Sequence, residues 1–319
     1  MAADGARARS ARIYDRTAAR TSHEVLTAYS TSFGLGTRLL GRRARRDIEA
    51  IYALVRLGDE VVDTYRGPDA GQALDELEAQ TLRALRTGYS TNLVVHAFAR
   101  TARRVGIGPD ETGPFFASMR ADLTVHAHDR ASYERYVHGS AEVVGIMCLR
   151  AFGNADRRPG EPLWAPDDDL LAGARALGAA FQKVNFLRDL GADSGELERA
   201  YFPGVAPDAL DAADVVAIVT EVRADLAVAR TAIPRLPLRA GCAVAATTAL
   251  YERLLDDLLA APPAELATRR VRVPGPVKLV VAGGAVAGRL AAAVADRSRG
   301  NVRTTSATGS PAGGEGGRP

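Results

Sequence analysis

Asn185-Phe186-Leu187-Arg188-Asp189-Leu190-Gly191-Ala192-Asp193 closes a proline-free run that begins at Leu170. Leu177, Phe181 and Val184 recur in it at helical spacing, which predicts one long helix. Gly178, Gln182, Asn185, Asp189 and Asp193 step by four, three, four and four. Residues three or four apart share a helix face. They therefore form a polar stripe that ends in two carboxylates. Oxygen donors without Cys or His suit Mg2+ rather than zinc.

A second carboxylate pair lies upstream in Ile51-Tyr-Ala-Leu-Val-Arg-Leu-Gly-Asp-Glu-Val-Val-Asp63. Arg56, Asp59 and Asp63 step by three and four, again inside apolar helical text. One Asp-x-x-x-Asp is a weak signal, because any solvated helix face can produce it. Two in apolar helices are harder to dismiss. Carboxylates opposed across a bundle repel and resist desolvation unless cations neutralise them. Bridging Mg2+ ions that carry a diphosphate would supply that neutralisation.

The chain has 319 residues, 47% of them apolar, so a sizeable core is possible. The net charge of +3 does not ask for a nucleic-acid partner. Lysine occurs only at Lys183 and Lys278, so 39 of the 41 cations are arginine. Cys148 and Cys242 read as reduced, buried thiols, as in a cytoplasmic protein. The Ala/Arg-rich start lacks an apolar core segment, so residues 1–19 are expected to be disordered and no secretory signal is expected.

Thr21-Ser-His-Glu24 has the pattern of a capping box. The helix after it carries Tyr29 and Phe33. Ser30 and Ser32 flank Thr31 there; such hydroxyls can meet phosphate, but local backbone capping is the plainer reading. Arg42-Arg43-Ala-Arg45-Arg46 reads as a solvated turn ahead of a helix starting at Asp47. Further helices are expected at 70–87, 92–106, 110–122, 133–152, 211–232, 239–260 and 276–297. Asp167-Asp-Asp169 caps the central helix, and Arg199-Ala-Tyr-Phe-Pro203 is extended. Tyr136, Ser140, Val144 and Met147 share a face. That face is core, or, with Gly139, Ala141 and Gly145, the lining of a channel for a long apolar ligand. The apolar run Val277–Val294 is too interrupted for a membrane span but could rest on a membrane surface. Residues 299–319 read as a disordered tail, leaving 20–298 as one all-α domain.

These motifs resemble the squalene/phytoene synthase family of head-to-head prenyl synthases, and among its members the bacterial phytoene synthases. The resemblance covers about residues 20–290. It rests on Tyr29-Ser-Thr-Ser-Phe33, Arg56-Leu-Gly-Asp-Glu-Val-Val-Asp63, Tyr136 with Gly139–Gly145, Gln182–Asp193 and Arg199–Pro203. Tyr251, Arg270 and Lys278 match more loosely. Gly-Asp-Glu stands where many members have Ala-Asp-Asp, and Glu142 where many have Gly.

The resemblance implies the all-α isoprenoid-synthase fold around a central cavity. It implies Mg2+ on Asp59, Asp63, Asn185, Asp189 and Asp193, with Mn2+ as a substitute and no NADPH. Ser30, Ser32, Arg56, Arg199, Tyr201, Arg270 and Lys278 would hold substrate, Gln182 and Asn185 would orient metal and phosphate, and Phe33 would line the cavity. Tyr136 and Tyr251 would steer the cation or the leaving diphosphate, although on spacing alone each reads as a core residue. The implied reaction is coupling of two geranylgeranyl diphosphates through prephytoene diphosphate to phytoene. The expected partners are prenyl diphosphates, carotenoid-pathway enzymes and the inner face of the membrane. Competing readings are a squalene or dehydrosqualene synthase using farnesyl diphosphate, a terpene cyclase, and a non-catalytic helical lipid-binding or assembly protein.

Overall fold

The computed structural model describes residues 2–195, 199–205, 209–266 and 268–306, without the side chains of 2–4, 31–32, 191–195 and 296–306. Among these the secondary structure is helical throughout. The single exception is an isolated parallel bridge between Ala127 and Ala200.

The helices are α1 (Ala2–Tyr29), α2 (Thr31–Thr37), α3 (Arg42–Asp59), α4 (Ala70–Thr87), α5 (Leu93–Val105), α6 (Pro109–Ala121) and α7 (Arg130–Val137). They continue as α8 (Val143–Gly153), α9 (Asp168–Gly195), α10 (Ala212–Ala232), α11 (Leu238–Ala260), α12 (Pro263–Leu266) and α13 (Gly275–Ser306). One apolar core gathers Ile51, Leu54, Leu74, Phe98, Phe115 and Met147 from α3–α6 and α8. A second gathers Tyr133, Leu187, Leu226, Leu255 and Leu258, with α9 at its centre.

Two helix junctions widen into π turns, Glu60–Tyr65 after α3 and His138–Glu142 between α7 and α8. Such i→i+5 turns tend to mark functional sites. Here one carries Asp63 and the other Ser140. Arg66, in the left-handed region at φ 47°, then ends the first.

Several expectations are corrected. Residues 2–19, expected within a disordered start, are helical: α1 starts at Ala2, Tyr14 Oη donates to Ser90 O at 2.8 Å, and Ala18 is fully buried. Thr21 caps nothing, because it lies inside α1 and its hydroxyl donates back to Thr17 O. The Arg42–Arg46 stretch is the first turn of α3. Asp47 is a buried residue within it, bound to Arg104 and accepting from Thr101 Oγ1 at 3.2 Å. Helix α13 extends to Ser306, past the expected start of the tail, and 307–319 lie outside the described residues.

The cap at Asp167 is as expected, accepting from Leu170 N at 3.0 Å. The segment expected to be extended through Pro203 is so only over 199–201, pinned by Ala200 N donating to His126 O at 2.8 Å; it bends at Phe202, and Val205 N closes a turn on Phe202 O at 3.2 Å. That pin sets Arg199 beneath the first carboxylate helix.

Candidate active site

A cavity of about 710 Å3 runs between α2, α3, α8, α9 and α11, a size ordinary for small-ligand sites. Its polar end carries Asp59 and Asp63 from α3 and its π turn, and Gln182, Asn185 and Asp189 from α9. Away from that end it is lined by Leu149, Phe152, Leu170, Ile233 and Leu236. The two carboxylate stripes thus meet one space from two helices. Ser30, Phe33, Arg56, Tyr136, Tyr201, Tyr251, Arg270 and Lys278 line it too. The side chains of Ser32 and Asp193 lie outside the described residues.

Charge at the polar end is unevenly matched. Burial first, and the neighbouring Asp63 next, push the Asp59 carboxyl up to about 7. Arg56 stands 3.8 Å from it, is bound to Glu60 and lies under the Tyr29 ring at 4.4 Å. Asp189 has more cation: Arg188 donates through Nε at 3.0 Å, and Arg270 Nε lies at 2.7 Å. Ser30 uses its oxygen as the N-cap of α2, accepting from Phe33 N at 3.2 Å.

The donor set fits a hard divalent cation. Every ligating atom these carboxylates offer is oxygen, and burial together with the neighbouring Asp63 holds Asp59 against its usual ionisation. Among the described residues no three His, Cys, Asp or Glu side chains converge as a cage. Mg2+, as a hard cation, takes one or two carboxylates and completes its shell with water and substrate phosphate.

Arg199 is not where a diphosphate ligand was expected. It is buried at 5% exposure and is not part of the cavity lining. It donates to Asp63 Oδ1 at 2.7 Å, to Val62 O at 2.9 Å and to Tyr201 Oη at 3.2 Å, and lies 3.5 Å from Asp122 Oδ1. Arg199 therefore anchors Asp63 from behind. Lys183, next to Gln182 but turned away from the cavity, is buried with Nζ 2.6 Å from Glu221 and 2.7 Å from Asp225, tying α9 to α10.

Asp122 escaped the sequence reading of the site. Tyr136 Oη donates to both its oxygens at 2.9 and 2.8 Å, and Tyr201 Oη to one at 3.3 Å. Burial pushes its carboxyl up to about 7 against the pull of Arg199 and the tyrosine. A signal existed: Phe115, Met119 and Asp122 share a face, so a carboxylate caps an apolar stripe at a helix C-terminus, where the dipole opposes it. Arg188 was missed because adjacent helical residues point apart.

The aromatic wall is built from two stacks. Phe181 lies on Tyr251 at 3.9 Å, and Phe186 on Tyr201 at 4.0 Å. Tyr251 Oη donates to Asn185 Oδ1 at 3.4 Å. Ser140, Ala141, Val144 and Gly145 line the cavity, but Gly139 and Met147 do not. A Cβ on Gly139 would stand 2.1 Å from Pro114 O, so its smallness serves the crossing with α6.

A family model described as squalene/phytoene synthase matches residues 26–276. The chain is similar to phytoene synthase 2, chloroplastic, of Solanum lycopersicum, 30% identical over 280 residues, covering 81% of this chain and 86% of that protein. It is 27% identical over 259 residues to 15-cis-phytoene synthase of Paracoccus sp., covering 73% and 80%. The match to phytoene synthase 1, chloroplastic, of Zea mays is 32% identical over 185 residues and spans 56% of this chain but 43% of that protein. A solved dehydrosqualene synthase in complex with ligand aligns at TM-score 0.72 and 19% identity, over 87% of this chain and 98% of that one. Squalene synthase HpnC from Alicyclobacillus acidocaldarius aligns at 0.67 and 21%, over 77% and 94%. At these identities the two structures speak for the fold alone.

Proposed function

The chain belongs to the squalene/phytoene synthase family, divalent-metal-dependent prenyltransferases acting on prenyl diphosphates, and from that premise we propose that it couples two geranylgeranyl diphosphates head to head into phytoene. The observation that carries this reading is that one cavity is lined both by Asp59, Asp63 and Asp189 and by the apolar Leu149, Phe152, Leu170, Ile233 and Leu236. Such a space suits molecules with a charged head and a long hydrocarbon tail.

Mg2+, or Mn2+ in its place, would be held by Asp59, Asp63, Asn185, Asp189 and Asp193 with substrate phosphate, and would neutralise the departing diphosphate. Arg188 and Arg270, now on Asp189, are the cations nearest to receive that group. Arg199 holds Asp63 in place from behind. The allylic cation then alkylates the double bond of the second substrate, and loss of a proton from the resulting cation closes the ring of a cyclopropyl diphosphate. That intermediate ionises in turn, rearranges and loses a proton. Tyr251 on Phe181 presents an aromatic face to the carbocation, and the apolar walls exclude the water that would quench it. Tyr136, its hydroxyl held by Asp122, presents its ring to the same space.

The test is to incubate purified protein with geranylgeranyl or farnesyl diphosphate, with and without Mg2+ and NADPH, and to chromatograph the products. Phytoene from the C20 substrate, requiring Mg2+ but no reductant, is the expected result. Exclusive use of farnesyl diphosphate, or a product that appears only with NADPH, would move the chain to the squalene branch.

A further inference from the structure

Arg56 stands at the rim of the cavity with its charge divided. Its Nη1 lies 3.8 Å from Oδ2 of Asp59, which lines the cavity with it. Its Nη2 donates to Glu60, which does not line the cavity. The guanidinium fork thus straddles the wall, one arm on each side. The Tyr29 ring covers it at 4.4 Å. Arg56 Nε is buried and meets no acceptor among the described residues. A buried donor left unmet asks for a partner.

Spacing puts these groups together. Arg56 and Glu60 are four apart and share a helix face. α3 ends at Asp59, and the π turn begins at Glu60. Adjacent helical residues point about 100° apart. One step along the chain therefore turns Asp59 into the cavity and Glu60 out of it. The other arginines at this end are placed differently. Arg188 and Arg270 bond Asp189, a carboxylate of the cavity itself. Arg56 bonds a carboxylate outside it.

The pair is weak enough to exchange. The side chains are 24% and 29% exposed, and ion pairs in reach of water hold little. A diphosphate carries more charge than a carboxylate and offers the fork several strong acceptor oxygens. It also reaches Arg56 from the side on which Nε is unmet.

We infer that Glu60 is a displaceable counter-ion for Arg56, yielding the guanidinium to an arriving diphosphate and reclaiming it as inorganic diphosphate leaves. Glu60 is a positioning residue. It acts through Arg56, and its effect is to loosen the hold on diphosphate. A metal-binding role for Glu60 predicts the opposite sign, because losing a metal ligand weakens diphosphate binding. The inference rests on the reading above that this end of the cavity takes diphosphates, and on neither the chain length nor the product.

The experiment titrates the full chain with inorganic diphosphate at saturating Mg2+ in a calorimeter. Glu60→Gln is expected to bind about fivefold more tightly than wild type, with unchanged ellipticity. Glu60→Ala, which also removes the acceptor, is expected to match it. Arg56→Met is expected to bind about tenfold more weakly. In that background Glu60→Gln should change affinity by less than about twofold, because the guanidinium it releases is gone. In turnover, inorganic diphosphate should inhibit Glu60→Gln about fivefold more strongly. KM for the prenyl diphosphate should fall while kcat does not rise. Weaker binding by both Glu60 variants would make Glu60 a metal ligand and overturn the inference. Unchanged binding would overturn it too, as would equal tightening with and without Arg56, which is simple charge repulsion. Wild type that binds no diphosphate with Mg2+ would overturn the reading of the site as well, whereas a failure confined to the Glu60 variants leaves that reading standing.

Discussion

Replacing Arg199 with Met removes the one guanidinium that holds both Asp63, at 2.7 Å, and Asp122, at 3.5 Å. The side chain is 5% exposed and Asp122 is 4% exposed, so no water takes its place. Removing one partner of a buried ion pair typically costs about 3–5 kcal/mol. Part of that is relieved at Asp122, whose carboxyl is already raised to about 7 and rises further without the cation. Each pKa unit is worth about 1.4 kcal/mol. A loss of about 3 kcal/mol is therefore expected at pH 7.5, and less at pH 5.5, where Asp122 takes its proton. For a chain of 319 residues that corresponds to roughly 4–5 °C in Tm. Urea unfolding followed by circular dichroism at both pH values measures it, with Arg199→Met/Asp122→Asn expected to recover part of the loss. Half-saturation by Mg2+ should rise as Asp63 loses its anchor. A loss below about 0.5 kcal/mol, an equal loss at both pH values, or no relief from Asp122→Asn would refute the buried network.

Asp59→Asn and Asp189→Asn should each lower kcat by two orders of magnitude or more, about 3 kcal/mol of transition-state stabilisation, with the helices intact by circular dichroism; near-normal turnover in either would remove that residue from the metal set. Lys183→Met should destabilise by about 2 kcal/mol, because it leaves Asp225 without its cation while Arg130 still holds Glu221 at 3.1 Å, yet leave kcat within about threefold; a larger turnover loss than from Arg199→Lys would reverse the roles of the two cations. Between about pH 5.5 and 7.5 the metal-free protein should lose stability as pH rises, since Asp59 and Asp122 keep protons in the fold that the unfolded chain has already released. The depressed carboxyls of Glu60, Asp129 and Asp167 act at lower pH; a melting profile that climbs over this window would contradict the assignment, and Asp122→Asn should flatten its slope.

Periodicity is a local property, so the helices and the polar stripe of α9 were legible from spacing alone. Gln182, Asn185 and Asp189 line one cavity because residues three and four apart must share a face. The aspartates of the upstream motif were legible for the same reason. The start of α1 was misread because its order comes from Tyr14 and Asp15 reaching Ser90 and His96, more than seventy residues away. No local pattern records such a contact.

The same holds inside the site. Arg199 looked like a ligand from its motif, but Asp63 stands 136 residues before it in sequence and 2.7 Å from it in space. Only the folded chain sets that arginine against a carboxylate. Asp122 became part of the site when α6 brought it under Tyr136 and Tyr201. The apolar run of α13 was visible in the sequence. Which of its faces is turned outward was decided by packing on α11, because a helix buries whichever side its neighbour covers.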